Sequence, residues 1–124
     1  MFAKLPSFIS IPVTFTLFAI NTVVHVTPLL VLALFKVLIP VRRLRAALSR
    51  ALLVIAESWI GVNSFLIDAF TPTRWDVQGV DGLDRSGWYL VLSNHQSWVD
   101  IPVLQKIFNR RIPLLKFFLK QQLI

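Results

Sequence analysis

Residues 71–124 predict the start of an α/β fold, and residues 1–70 predict a membrane-associated helical part ahead of it. Three observations carry that reading. From Phe8 to Ile39 the only formally charged residue is Lys36, and the run exceeds the ~20 apolar residues that a spanning helix needs. From Arg42 to Phe70 apolar residues recur every three or four positions, the period of an amphipathic helix. Beyond Thr71-Pro72-Thr73 that period is lost, and two strand-like runs flank a turn,.

Within residues 1–41, the predicted membrane anchor, Asn21, His25 and Pro28 interrupt an apolar run that includes Ile9, Ile11, Val13, Phe15, Leu17, Phe18 and residues 29–35. Two arrangements fit: one tilted or kinked span broken at Pro28, or two shorter helices forming a re-entrant hairpin within one leaflet. The run is too long for a cleaved secretory signal, no small-residue cleavage pattern follows it, and the basic cluster behind it reads as stop-transfer. If it is a single span, the arginines after Pro40, set against Lys4 alone before the run, put residues 42 onward in the cytoplasm. Asn21 and His25 are expected to bond a neighbouring helix or sit at a wet interface, and no chemistry is assigned to them.

Residues 42–70 place Leu44, Leu48, Leu52, Ile55, Trp59 and Val62 on one helical face, with Arg43, Arg50 and Glu57 elsewhere on the wheel. This predicts a helix lying in the headgroup region, its arginines toward lipid phosphates. The alternative is an ordinary helix packed on a soluble core. Residues 74–79 alternate as a short strand, residues 80–87 are rich in Asp and Gly as a turn, and residues 88–92 form a continuous apolar run suited to a buried strand,. Residues 101–108 predict a helix with Pro102 in its first turn, Arg110-Arg111 a solvated or headgroup-facing basic turn, and residues 112–119 another apolar segment,.

Composition narrows the function classes. The apolar fraction is 56% and the mean hydropathy +0.69, an excess that needs lipid or a partner to cover it. Thirteen Lys and Arg against six Asp and Glu give +7, a charge that suits nucleic acid, anionic lipid or an anionic substrate. Lys36, Arg42, Arg43, Arg45 and Arg50 lie at the end of the most apolar stretch, where membrane proteins keep their anchors, so lipid is preferred. Without zinc-finger spacing or an RNA-binding aromatic pattern, no nucleic-acid partner is expected. The chain has no cysteine, which removes disulfides, thiol catalysis and Cys-based zinc sites; with only two distant histidines, no metal site is expected.

One constellation carries chemistry. Ser93-Asn94-His95-Gln96-Ser97-Trp98-Val99-Asp100 follows the apolar run at 88–92, and the end of a buried strand is a favoured place for an active site. Five residues apart, His95 and Asp100 would be turned about 140° from each other on a regular helix. They meet more easily with His95 in a turn and Asp100 on the first turn of a helix; the alternative is a non-catalytic loop in which Asp100 is the N-cap before Ile101 and Pro102 and satisfies the histidine. A neutral imidazole can take the proton of an alcohol attacking an acyl carbonyl, while a carboxylate on its other nitrogen fixes the tautomer. No serine or cysteine nucleophile is then needed.

The block Asn94, His95, Ser97 and Asp100, the His-x4-Asp pattern behind a membrane anchor, resembles that of the lysophosphatidate (1-acylglycerol-3-phosphate) acyltransferases. The resemblance covers residues 73–124, where Lys116 to Leu123 looks like the segment leading to the family's second motif. It implies the start of an acyltransferase αβ domain, with His95 and Asp100 catalytic and Asn94 and Ser97 supporting. It also implies an acyl-CoA or acyl-ACP (acyl carrier protein) co-substrate, no cofactor, and a lysophospholipid acceptor, foremost lysophosphatidic acid converted to phosphatidic acid. The expected setting is a bacterial inner membrane, with membrane phospholipid around the anchor and the catalytic part cytoplasmic. The family's later blocks, including a phosphate-binding arginine and a Glu-Gly-Thr-Arg-like block, do not occur before Ile124. The domain is therefore expected to be truncated, and the alternative is a non-catalytic membrane-anchoring or lipid-binding fragment.

Overall fold

The computed structural model describes residues 6–94 and 96–117. It holds three helices: α1 (Ser7–Leu38), α2 (Arg42–Phe70) and α3 (Asp100–Phe108). α1 and α2 form an antiparallel hairpin, since Asn21 bonds Asn63 while His25, further along α1, meets Ser58, earlier along α2. α3 packs on the other side of α2, bringing Lys106 to Asp68 and Asn109 to the Glu57 carbonyl.

α1 is one continuous helix that contains both Pro12 and Pro28, so Pro28 does not divide it. Each proline removes an intrahelical N–H donor, but the flanking apolar residues favour a conformation that satisfies its backbone internally. Thr14, Thr22 and Thr27 return their hydroxyls to the carbonyls four residues earlier, at Ser10, Phe18 and Val23. The helix ends where Ile39 turns extended and Pro40 follows, and α2 restarts with the Val41 carbonyl accepting from Arg45 N–H.

Both hairpin helices are long and apolar enough to cross a membrane, with mean hydropathies of 2.1 and 1.5 over the most apolar 18 residues of Phe8–Leu38 and Arg42–Phe70. Few of their side chains are packed. Among the described residues, the buried apolar side chains are Ile60, Leu66, Ala69 and Ile112. The buried line on α2 is Glu57, Ile60, Asn63, Leu66 and Ala69. It differs from the stripe expected from periodicity, where Leu44 and Val62 are exposed, because α2 is covered by α1 on one side and by α3 with its flanking loops on the other.

The α/β expectation is overturned: the described residues contain helices and no strands or sheet. Residues 74–79 end at Gly79 in the left-handed region, φ 74°, and residues 80–87 make two turns closed by Leu83 N–H to Val80 O and Gly87 N–H to Asp84 O. The 88–92 run is irregular and has no ladder partner in the described residues. Its Trp88, Leu90 and Leu92 are 99%, 75% and 84% exposed. β-propensity describes fit to a pleated, half-buried surface; with no neighbouring strand, the propensity is present and the strand is not.

Candidate active site

Asp100 is the first residue of α3, not its N-cap; that position is Val99, which makes no side-chain cap bond. The Asp100 carboxylate turns back over the preceding turn, where Oδ2 accepts the backbone N–H groups of Gln96 at 2.6 Å and Ser97 at 2.9 Å. Ser97 Oγ accepts Val99 N–H at 3.2 Å, and Asp100 N–H reaches Ser97 O. The acid at the head of the helix also meets the positive end of the α3 dipole. Residues 96–100 are thereby folded into a tight turn with Asp100 at its hub. Asn94 and Ser97 are exposed. His95, the expected base, lies outside the described residues, as does the end of the apolar segment from residue 118 onward.

Sequence reasoning missed the group that ties this region to the hairpin. Glu57, assigned to the polar side of α2, is only 5% exposed. Its carboxylate is gripped by Arg85 from the turn region through Oε1 and faced by Arg110 at 3.7 Å from Oε2. Asn109 Nδ2 donates to the Glu57 backbone oxygen at 3.2 Å. Arg110 adopts φ 62°, a left-handed conformation that costs a non-glycine residue roughly 1 kcal/mol. It occupies the position after the α3 C-cap, where chains commonly reverse this way. A signal for Glu57 was available: it is the lone acid within the otherwise uncharged residues 51–67, and a buried carboxylate requires a cation.

A second clasp closes the far end of α2. Asp68 accepts Lys106 Nζ at 2.6 Å and Trp75 Nε1 at 2.8 Å, while Lys106 lies 5.2 Å from the Trp75 ring centroid. The two clasps hold residues 75, 85, 106 and 110 along one side of α2. An open cleft of about 490 Å³ between the turn region and the end of α3 is lined by Asp81, Asp84, Arg85, Arg110 and Arg111. Its charges are nearly balanced. Among the described residues no three His, Asp or Glu side chains converge as a metal site would require.

The hairpin interface is polar at its centre. Asn21 Nδ2 donates to Asn63 Oδ1 at 2.8 Å and to Trp59 O at 3.2 Å, and Trp59 Nε1 donates to Thr22 Oγ1. His25 Nδ1 sits 2.9 Å from Asn21 O; because a carbonyl only accepts, this nitrogen carries the proton. Nε2 lies 3.2 Å from Ser58 Oγ, a hydroxyl that can donate or accept,. These residues lock helix to helix. No family model matches the chain, and neither the curated proteins nor the solved structures contain a match.

Proposed function

We propose that the chain carries the catalytic block of a membrane-associated acyltransferase that moves a fatty acyl group from acyl-CoA or acyl-ACP to the free hydroxyl of a lysophospholipid. Lysophosphatidic acid is the foremost acceptor. His95 acts as general base on the attacking hydroxyl, Asp100 orients the imidazole and stabilises its charged form, and Asn94 and Ser97 shape the turn. The observation that supports the reading is the anchored carboxylate: the backbone N–H groups of Gln96 and Ser97 hold Asp100 at the head of α3. The reading rests on the block and its membrane setting, not on a sheet. The setting proposed is a bacterial inner membrane with residues 71–117 on the cytoplasmic side.

The test uses the complete reading frame expressed in membranes, with acyl transfer to lysophosphatidic acid measured from each thioester. His95→Ala should lower the rate by roughly 10²–10⁴-fold while the protein stays in the membrane fraction. Unchanged activity would refute the base assignment. The extensive exposed apolar surface of α1 favours a second reading, a non-catalytic anchoring or lipid-binding piece. An active frame whose rate ignores both His95→Ala and Asp100→Asn would favour it.

A further inference from the structure

Glu57 holds two guanidiniums without using up their donors. It meets Arg85 through one terminal nitrogen and Arg110 through Nε, and a guanidinium carries five N–H groups. The two arginine side chains are 50% and 60% exposed. Together with Arg111 they line the open cleft of about 490 Å³ between the turn region and the end of α3, a volume within the ~300–1,000 Å³ of small-molecule sites. Arg111 is exposed and makes no ion pair among the described residues. Its backbone is fixed by the reversal after α3, where the N–H groups of Arg111 and Ile112 both return to Phe108 O and Ile112 is buried. Of the two carboxylates lining the cleft, Asp84 is turned onto the Ser86 N–H and hydroxyl. A cleft whose charges nearly cancel is not a general trap for anions. What it offers is a set of positioned guanidinium donors, the groups that match phosphate oxygens in paired hydrogen bonds.

Position decides which phosphate. The cleft borders the carboxyl end of α3 and Asp100 begins that helix, so the two are separated by the length of nine helical residues, about 14 Å. The thioester donors of the reaction above, acyl-CoA and acyl-ACP, share a phosphopantetheine arm. Between phosphate and sulfur its chain is about as long as four extended residues, roughly 14 Å. A phosphate seated in the cleft therefore lets the thioester reach the head of α3, where the Asp100 carboxylate is anchored. No residue of α3 is buried, which leaves its outer side open as a track for the arm. We propose that Arg111, with Arg85 and Arg110, holds the phosphate of the donor's phosphopantetheine arm, and that α3 is the ruler between this phosphate and the reacting thioester. The site rests on the acyltransferase reading and supplies its donor end. Glu57 orders two of the three guanidiniums in advance, so that less of their freedom is lost on binding.

The test measures acyl transfer to lysophosphatidic acid by the complete reading frame in membranes, from acyl-pantetheine and from acyl-phosphopantetheine, two donors that differ only in the phosphate. The phosphate should lower KM by roughly 10-fold or more, as a hydrogen bond to a charged group does. Arg111→Gln should bring the ratio of the two KM values close to one, whereas Gln78→Ala, exposed and outside the cleft lining, should keep the wild-type ratio. Because the ratio is taken within each variant, it does not depend on how much of the protein folds. Acyl-CoA and acyl-ACP then identify the source of the phosphate: Arg111→Gln should raise KM for the donor the protein uses, or for both. A wild-type ratio of one, a ratio that Arg111→Gln leaves untouched, or a KM raised for neither full donor overturns the site and leaves the acyltransferase reading standing. No transfer by the wild type from any of the four donors removes that reading, and the phosphate site with it.

Discussion

The hairpin and the segment that follows it are built on different principles. In residues 7–70 the backbone satisfies itself within two helices, and the side chains add a polar seam of Asn21, Thr22, His25, Ser58, Trp59 and Asn63. Among the described residues of 71–99 most backbone groups lie outside helix or strand ladders, and position depends on a few charged side chains gripping α2 at Glu57 and Asp68. Local hydrogen bonding makes the hairpin robust to its surroundings, whereas the polar segment is only as well placed as its clasps.

The largest effect should therefore come from stripping the Glu57 clasp. Arg85→Ala with Arg110→Ala leaves a buried carboxylate without a cation and should cost about 3 kcal/mol, read as earlier thermal unfolding in detergent together with faster proteolysis between residues 71 and 99. Glu57→Gln should cost less, because the half-exposed guanidiniums can return to water,. The reverse order would mean that the carboxylate is not buried in the folded chain. In the hairpin, Asn63→Ala removes one of the two acceptors of Asn21 and should cost roughly 1–2 kcal/mol, detected as a lower melting temperature without faster proteolysis of the polar segment. If proteolysis rises as well, the two regions unfold as one unit.

A smaller effect isolates backbone strain at residue 110. Arg110→Gly and Arg110→Ala both lose the Glu57 contact, so the glycine variant should be more stable by about 1 kcal/mol, the steric cost of the left-handed conformation,. Equal melting temperatures would show that the chain relaxes there. The smallest effect belongs to Asp84, whose carboxyl is held below its ordinary value by the backbone N–H of Ser86 and then by the Ser86 hydroxyl. Its contribution is present above the ordinary carboxylate pKa and is lost as pH falls through the lowered one. Protection of the Ser86 amide from hydrogen exchange should fall over that acidic window, and Asp84→Asn should abolish the dependence.

Much of the helical architecture was legible from residue patterns. The span of α2 and the reach of α3 follow from periodicity, with boundaries marked by Pro40, Pro72 and the Asp100-Ile101-Pro102 start. The block at 94–100 was legible as a motif, and Asp100 does stand on the first turn of a helix. Strands at 74–79 and 88–92 were not correctly legible, because a strand is a property of two segments and these runs find no partner in the described structure.

The sequence by itself determined which stretches are apolar, where the helices run, and that a His-x4-Asp pattern stands at residues 95–100; each depends on local spacing. Tertiary structure decided that Pro28 does not divide α1, that Asn21 and His25 serve the helix interface, and that Glu57 is a buried hub for arginines 28 and 53 positions away. The physical reason is that a helix satisfies its hydrogen bonds within a few residues, whereas burial, ion pairing and strand formation depend on groups that only folding brings together.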